Sequence, residues 1–397
     1  MKKVIPYSTV IWILIIINSN GLYSQWQPDM RLTNDPSESR TIASNAWSIA
    51  ASGSSVHVVW YDSRYGGHYE IFYKRSTDSG VSWGSDTRLT NSINFATTPS
   101  VAISGSVVHV VWSNREVSSE EIYYTRSTDS GTNWEPSIWL TTYDSTNSIF
   151  PSVAVSSSDV HVVWHGDNLQ YIRSTDSGES WGQFIQLTNS PLAAVGASVA
   201  VSGSVVHVVW MDNRDGNWEI YYKRSTDRGV IWGTDIRLTN NTLYSGYCSA
   251  AVSDSVVHVV WINGSGIYYK RSTDSGVNWE TDILLTNDSV SPSEPSIAVS
   301  GSVVHVGWTD WRDGAEIYYK RSPDSGVSWE PDTRLTNNTG SSLYPSVAVS
   351  SSVVHIAWTD GRDGNKEIYY KGNPTGNLTG IKNINSEIPE EFKLLQN

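Results

Sequence analysis

Cysteine is almost absent. Cys248 is the single one in 397 residues, which excludes an intramolecular disulfide and any cysteine-based zinc site. Positive charge is also scarce, with 27 Lys plus Arg against 40 Asp plus Glu and a formal net charge of −13. A nucleic-acid surface needs clustered cations to displace counterions, so the composition speaks against that class. Charged residues make up only 17% of the chain, whereas Trp fills 19 positions and Tyr 21; a disordered polar chain would show the reverse. The apolar run Val10–Ile17 falls well short of the roughly 20 residues of a spanning helix. It follows Lys2 and Lys3 and precedes Leu22-Tyr23-Ser24, so 1–24 reads as an export signal. Losing both lysines takes the charge to −13 − 2 = −15. The expectation is an acidic, monomeric, secreted or cell-surface bacterial protein with no membrane span after cleavage and no cofactor.

What the sequence has in abundance is repetition. Val-His-Val-Val-Trp or a near variant recurs seven times, with its His at 57, 109, 161, 207, 258, 305 and 355. Each is followed by a run like Glu219-Ile220-Tyr221-Tyr222-Lys223-Arg224-Ser225, then by a short Arg-Leu-Thr run such as Arg88-Leu89-Thr90. Before each lies a stretch like Ser346-Val347-Ala348-Val349. All four runs are short, β-branched or aromatic and bounded by Gly, Ser, Asp and Asn, which predicts strands. Four strands in about 50 residues match a propeller blade. In chain order they are A (Ser-Val-Ala-Val), B (Val-His-Val-Val-Trp), C (Ile-Tyr-Tyr-Lys) and D (Arg-Leu-Thr). The seventh copy stops after strand C, but Trp26–Asn34 matches Trp83–Asn91 in spacing and type. The sequence therefore predicts an all-β, seven-bladed propeller over 25–373, closed by the N-terminal strand completing the last blade.

Six repeats continue from strand C into Ser-x-Asp-x-Gly-x-x-Trp, beginning at Ser76, Ser127, Ser174, Ser225, Ser272 and Ser322. This motif is the Asp-box, or BNR repeat, and the chain resembles the Asp-box propellers of the sialidase superfamily. The resemblance implies that Asp78, Asp129, Asp176, Asp227, Asp274 and Asp324 are structural and lie opposite the ligand face. That face then carries the B–C and D–A loops. The tail from Gly372 has linker composition, and Ile388–Asn397 resembles the opening of a C-terminal sorting domain of type IX secretion. Residues 374–397 are thus expected to be a linker and a truncated sorting segment.

A sialidase of this superfamily would carry an Arg-Ile-Pro segment, which is absent, and three arginines on the substrate carboxylate. Arg64, Arg115, Arg214, Arg312 and Arg362 lie in the B–C loops and could form such a clamp. They appear and vanish with Glu70, Glu121, Glu219, Glu316 and Glu367, which predicts ion pairs inside each hairpin instead. The seven strand-B histidines lie on separate blades and cannot share a metal, so no metal site is expected. The Asp-x-Arg-Asp-Gly loops, such as Asp310–Gly314, suggest calcium but place Arg among the ligands.

A unique ligand needs residues that break the repeat. On the loop face these are Trp47, Tyr65, His68, Tyr143, Asp144, Phe150, His165, Asp167, Trp218, Tyr244, Tyr247 and Trp311. Aromatic rings stack on sugar C–H groups and carboxylates accept hydroxyls, so Trp218, Trp311, Tyr65, His68, His165, Asp167 and Tyr247 are the ligand-binding candidates. The leading expectation is a non-catalytic glycan- or surface-polymer-binding protein. The alternatives are a sialidase-like exo-glycoside hydrolase with a diverged site, for which Asp144, Asp167 and Glu294 are the loose carboxylates, and a structural or adhesive surface protein.

Overall fold

The computed structural model describes residues 26–41, 48–91, 94–116, 119–141, 146–190, 193–286 and 291–377. The export signal, the sorting-segment resemblance and Trp47, Tyr143 and Asp144 lie outside them. The short β-branched runs form strands throughout, and the chain is all-β with seven antiparallel sheets in the order A-B-C-D. Blade 1 runs through Ile49–Ser52, Ser55–Asp62, Glu70–Ser76 and Thr87–Arg88. Its strand A has a second piece, Ser39–Arg40, which also pairs with strand B. Blade 4 shows the full pattern, with Ala194–Ser202, Val205–Asp212, Glu219–Ser225 and Ile236–Arg237. Strand B is buried on both faces in every blade, because each sheet is sandwiched between two neighbours.

The ring closes as the sequence predicts. Met30–Arg31 pairs antiparallel with Glu367–Asn373 of blade 7, Met30 opposite Tyr370 and Arg31 opposite Tyr369. Trp26 meets Tyr319 edge-on at 4.8 Å, the place taken at other junctions by pairs such as Trp134 and Tyr73 or Trp83 and Tyr370. Closure leaves no blade with an open edge toward a missing neighbour.

The A strands line the axis, around a narrow apolar channel of about 240 Å³. One alanine per blade faces it, from Ala50 to Ala348. Each lies opposite the blade's histidine, as Ala50 does His57 and Ala348 does His355. A larger side chain on all seven strands would push the blades apart. Serines of strand A tie blade to blade: Ser296 Oγ accepts the Val347 N–H at 3.0 Å and Ser198 Oγ the Ala250 N–H at 3.2 Å.

The Ser-x-Asp-x-Gly-x-x-Trp turns brace the opposite face. Ser76 Oγ donates to Asp78 Oδ1 at 2.7 Å and accepts the Gly80 N–H at 2.8 Å, while Asp78 also accepts the Ser82 N–H at 2.8 Å. These bonds, led by the Ser82 hydroxyl, hold the Asp78 carboxyl down at about 2. A strand-C tyrosine from the preceding blade packs beneath each turn glycine; Gly131 has φ +82° over the Tyr73 hydroxyl, leaving no room for a Cβ. That hydroxyl also meets His57 Nδ1 at 2.6 Å. Each of the seven histidines bonds through Nδ1 to the strand-C tyrosine of its own blade, and His305 also bonds across to the last blade through Nε2. Burial pushes them to about 4 for His57 and about 3 for His109, so they are neutral at pH 7.

The last blade holds a feature the composition hid. After strand C the chain continues into a degenerate seventh turn over 373–377. Asn373 Oδ1 accepts the Thr375 N–H at 3.2 Å, and the Gly376 carbonyl takes Arg321 Nε at 2.8 Å. Elsewhere that carbonyl belongs to a turn residue such as Ser130, which receives Arg75. Asn377 Oδ1 reaches His305 Nε2 at 3.1 Å. The packed structure thus extends beyond 373 into residues read as linker.

Candidate functional site

In blades 2 to 7 strand A begins with a β-bulge on the loop face. The register with strand B slips between Thr97 and Ser100, Ile149 and Ser152, Val195 and Ser198, Gly246 and Ser249, Ser293 and Ser296, and Leu343 and Ser346. The unpaired residue adopts a left-handed φ of 50–63° in six blades, at Thr98, Phe150, Gly196, Tyr247, Glu294 and Tyr344. Proline follows four of them, at 99, 151, 295 and 345, which suits a position with no ladder donor to supply. The backbone is the same in these six blades, yet the side chains range over Thr, Phe, Gly, Glu and two Tyr. An invariant scaffold with a variable residue at the axis is how a symmetric ring makes an asymmetric site.

Three of the bulge residues, Tyr247, Glu294 and Tyr344, come within electrostatic reach of one another, and Thr309 Oγ1 links the last two by accepting the Tyr344 N–H at 3.2 Å and donating to Glu294 at 3.1 Å. Tyr344 of blade 7 lies within electrostatic range of Glu294 in blade 6, Arg40 in blade 1 and the Tyr247 phenol in blade 5; burial first, and Glu294 after it, raise its phenol. Interaction between blades 5 and 7 across blade 6 requires proximity to the axis. Tyr61 at the end of strand B in blade 1 joins the group, stacked edge-on with Tyr69 at 5.0 Å and close to Arg40. Tyr244 meets Tyr247 at 6.5 Å. Glu294 accepts Thr309 Oγ1 at 3.1 Å and makes no ion pair among the described residues. Burial pushes its carboxyl up to about 7. The result is an axial mouth with tyrosines around one carboxyl whose proton is exchangeable near neutrality.

Four of the five loop arginines are held by aspartates and form no clamp among the described residues, and for these four the expected Arg–Glu pairing is overturned. Arg64 bonds Asp62 at 2.6 Å and Asp86 at 2.8 Å, with its guanidinium 4.3 Å above the Phe72 ring. Arg214 pairs with Asp212 and Asp235, Arg312 with Asp310 and Asp332, and Arg362 with Asp360 and Asp29, each over a strand-C tyrosine. The glutamates instead take a strand-D arginine: Arg88–Glu70 at 2.6 Å, Arg237–Glu219 at 2.9 Å, Arg334–Glu316 at 2.8 Å and Arg31–Glu367 at 2.6 Å. Glu121 faces Trp139 where other blades have that arginine, and bonds Thr141 Oγ1 at 2.5 Å and Ser119 Oγ at 2.7 Å. The co-occurrence of Arg and Glu was real, but strands B and D supply the partners. The signal for the true pair was the Trp-x-Asp-x-Arg spacing, as in Trp60-Tyr61-Asp62-Ser63-Arg64. Arg312 bonds the carboxylates a calcium ion would need, and among the described residues no group of three His, Cys, Asp or Glu stands together as ligands.

The sequence candidates scatter. Trp311 is 46% exposed in the B–C loop of blade 6, and Tyr247 is 36% exposed at the axial mouth. Trp218 packs against the apolar cluster between blades 4 and 5, with Ile220, Leu238 and Trp261. Tyr65 is 51% exposed but lies parallel to Phe72 with Arg88 4.3 Å over its ring. His68 is 3.5 Å from Glu70. His165 Nδ1 meets the Ala194 carbonyl oxygen at 2.9 Å, and burial lowers its imidazole. Asp167 is exposed beside it at the end of strand B. Only Tyr247 of these belongs to the converging group; Tyr344, Tyr61 and Arg40 were missed.

No protein-family model matches the sequence, and no curated protein does. Solved structures do. An ulvan lyase, described as a new family of polysaccharide lyase, aligns with TM-score 0.59 at 11% identity over 85% of this chain and 94% of its own. The endosialidase of phage phi92 aligns with TM-score 0.55 at 11% identity over 93% and 71%. YCF48 bound to D1 peptide aligns with TM-score 0.53 at 15% identity over 86% and 96%. Such likenesses show the fold alone: this chain is a seven-bladed β-propeller of an architecture shared by glycan-active enzymes and a peptide-bound protein.

Proposed function

We propose that the chain is an exported glycan-binding propeller that engages a carbohydrate or other cell-surface polymer at its axial mouth without cleaving it. The observation that carries this reading is the convergence of Tyr247, Tyr344 and Glu294 on bulges of one backbone shape. Tyrosine faces stack on sugar rings and their hydroxyls, with the Glu294 carboxyl, bond sugar hydroxyls. The Asp-box resemblance and the polysaccharide-active fold neighbours point the same way. With Arg64, Arg214, Arg312 and Arg362 held in ion pairs, four of the five B–C arginines are not free to clamp a sugar carboxylate. A glycan array probed with the full chain tests this. Binding is expected, and Tyr344→Ala should weaken it at least tenfold, about 1.4 kcal/mol; no binding to any glycan would contradict it and favour the structural or adhesive alternative.

One observation favours glycoside hydrolysis as a second reading. A carboxyl with its proton exchangeable at about 7 suits general acid–base work. Turnover on a fluorogenic glycoside panel, lost in Glu294→Gln, would replace the binding-only reading; background rates in both proteins would support it.

A further inference from the structure

Blade 3 breaks the repeat at four linked positions. In blade 1 the strand-B end, the B–C loop, the strand-C ring and the start of strand D supply Asp62, Arg64, Phe72 and Asp86, which interlock as an ion triad over an aromatic ring. Blade 3 has Gly166 for the first, a B–C loop too short for the second, Gln170 for the third and Phe184 for the fourth. The space the arginine and ring fill elsewhere is here a cavity of about 130 Å³. About 10–15 Å³ holds one water by this measure, so the cavity is large enough for a small organic group.

Its lining is chemically mixed. Trp164 and Phe184 form apolar walls, their rings 6.4 Å apart and edge-on, and Gln170, Gln186, Ser148 and Asp167 add amide, hydroxyl and carboxylate groups. Phe184 is 44% exposed. The Gln170 amide oxygen is buried with no hydrogen-bond partner among the described residues, which costs about 1–3 kcal/mol unless a ligand or water supplies a donor. In four blades the strand-B tryptophan donates to the aspartate two residues on, as Trp358 does to Asp360 at 2.8 Å. Gly166 withholds that carboxylate from Trp164.

We propose that this cavity in blade 3 is a subsite for one neutral sugar unit, a hexose or N-acetylhexosamine, of the glycan engaged under the reading above. Two aromatic walls hold the apolar faces of a pyranose, and two amides, a hydroxyl and a carboxylate meet its hydroxyls. Among the described residues no Lys or Arg lines the cavity and Asp167 stands at it, so a uronate or other anionic sugar is disfavoured. The subsite lies within blade 3, away from the axial mouth, so an extended chain could reach both.

Saturation-transfer NMR on the full chain with methyl glycosides of glucose, N-acetylglucosamine and glucuronate tests the proposal. At least one neutral glycoside should bind and glucuronate should not. Gln170→Tyr puts back the ring that other blades carry and should weaken that binding at least tenfold with the melting temperature kept. Gly166→Asp is a second filling variant, since a Cβ at Gly166 meets nothing closer than 3.4 Å. Failure of both neutral glycosides to bind, preferred binding of glucuronate, or undiminished binding in both folded variants would overturn the subsite. Glycan-array binding that survives those variants but falls in Tyr344→Ala would overturn the subsite while leaving the axial reading intact.

Discussion

Glu294 is the side chain on which pH should act most visibly. Its ordinary pKa is near 4.5, and burial carries it to about 7 while Thr309, Ser293 and the Tyr344 backbone only partly offset the shift. Between those values the folded protein keeps a proton that the unfolded chain has released. Stability from this group is therefore full below pH 4.5 and is lost as pH rises toward 7. The loss is at most about 3 kcal/mol, less because the side chain is partly exposed. Urea melts at pH 5 and pH 8 should show a stability change on going to pH 8 that is less favourable in the wild type than in Glu294→Gln, the histidine contribution being common to both; parallel changes would mean the carboxyl is solvated. The sequence flagged Glu294 only as a loose acid. Nothing in its neighbours said that the following Pro295 marks a bulge, or that the bulge aims at the axis. By contrast, the six turn aspartates were legible because their spacing to Ser, Gly and Trp is itself the hydrogen-bond pattern.

Blades were legible as elements, and the contacts between them were less so. Period-two patterning and turn residues fix four strands per repeat, but which blade's tyrosine meets which blade's glycine depends on how neighbouring sheets stack. Gly131 sits over Tyr73 with φ +82°. Gly131→Ala should cost about 2–4 kcal/mol through both the left-handed backbone and overpacking. Thermal denaturation would show it; an unchanged melting temperature would mean blades 1 and 2 do not lock this way. The Arg–Glu error has the same origin. Strands C and D carry partners that are neighbours across the sheet while lying 18 residues apart, as with Glu70 and Arg88, and a hairpin-local reading cannot see the second strand. The seventh turn was missed because Asn373, Pro374 and Thr375 replace Ser, Thr and Asp while the backbone bonds persist.

The whole molecule is held neutral at its core by seven histidines, with pKa values of about 3 to about 4. The unfolded chain protonates them near 6.5, so their contribution is full above that pH and is lost as the pH falls toward 4. Each adds about 1.4 kcal/mol per pH unit across that window. Unfolding at pH 5 should accordingly take up several protons, measurable as the pH dependence of the unfolding free energy; a flat dependence between pH 6.5 and 4.5 would place the histidines in water.

On the proposed reading the residues fall in two groups, the repeated ones holding the wheel and the divergent ones meeting a glycan. Glycan-array binding measured beside the melting temperature for Arg214→Ala and Tyr344→Ala tests that division most directly. Arg214→Ala should lower the melting temperature and keep binding, whereas Tyr344→Ala should keep the melting temperature and lose binding. The reverse pattern, or loss of both properties in both variants, would contradict it.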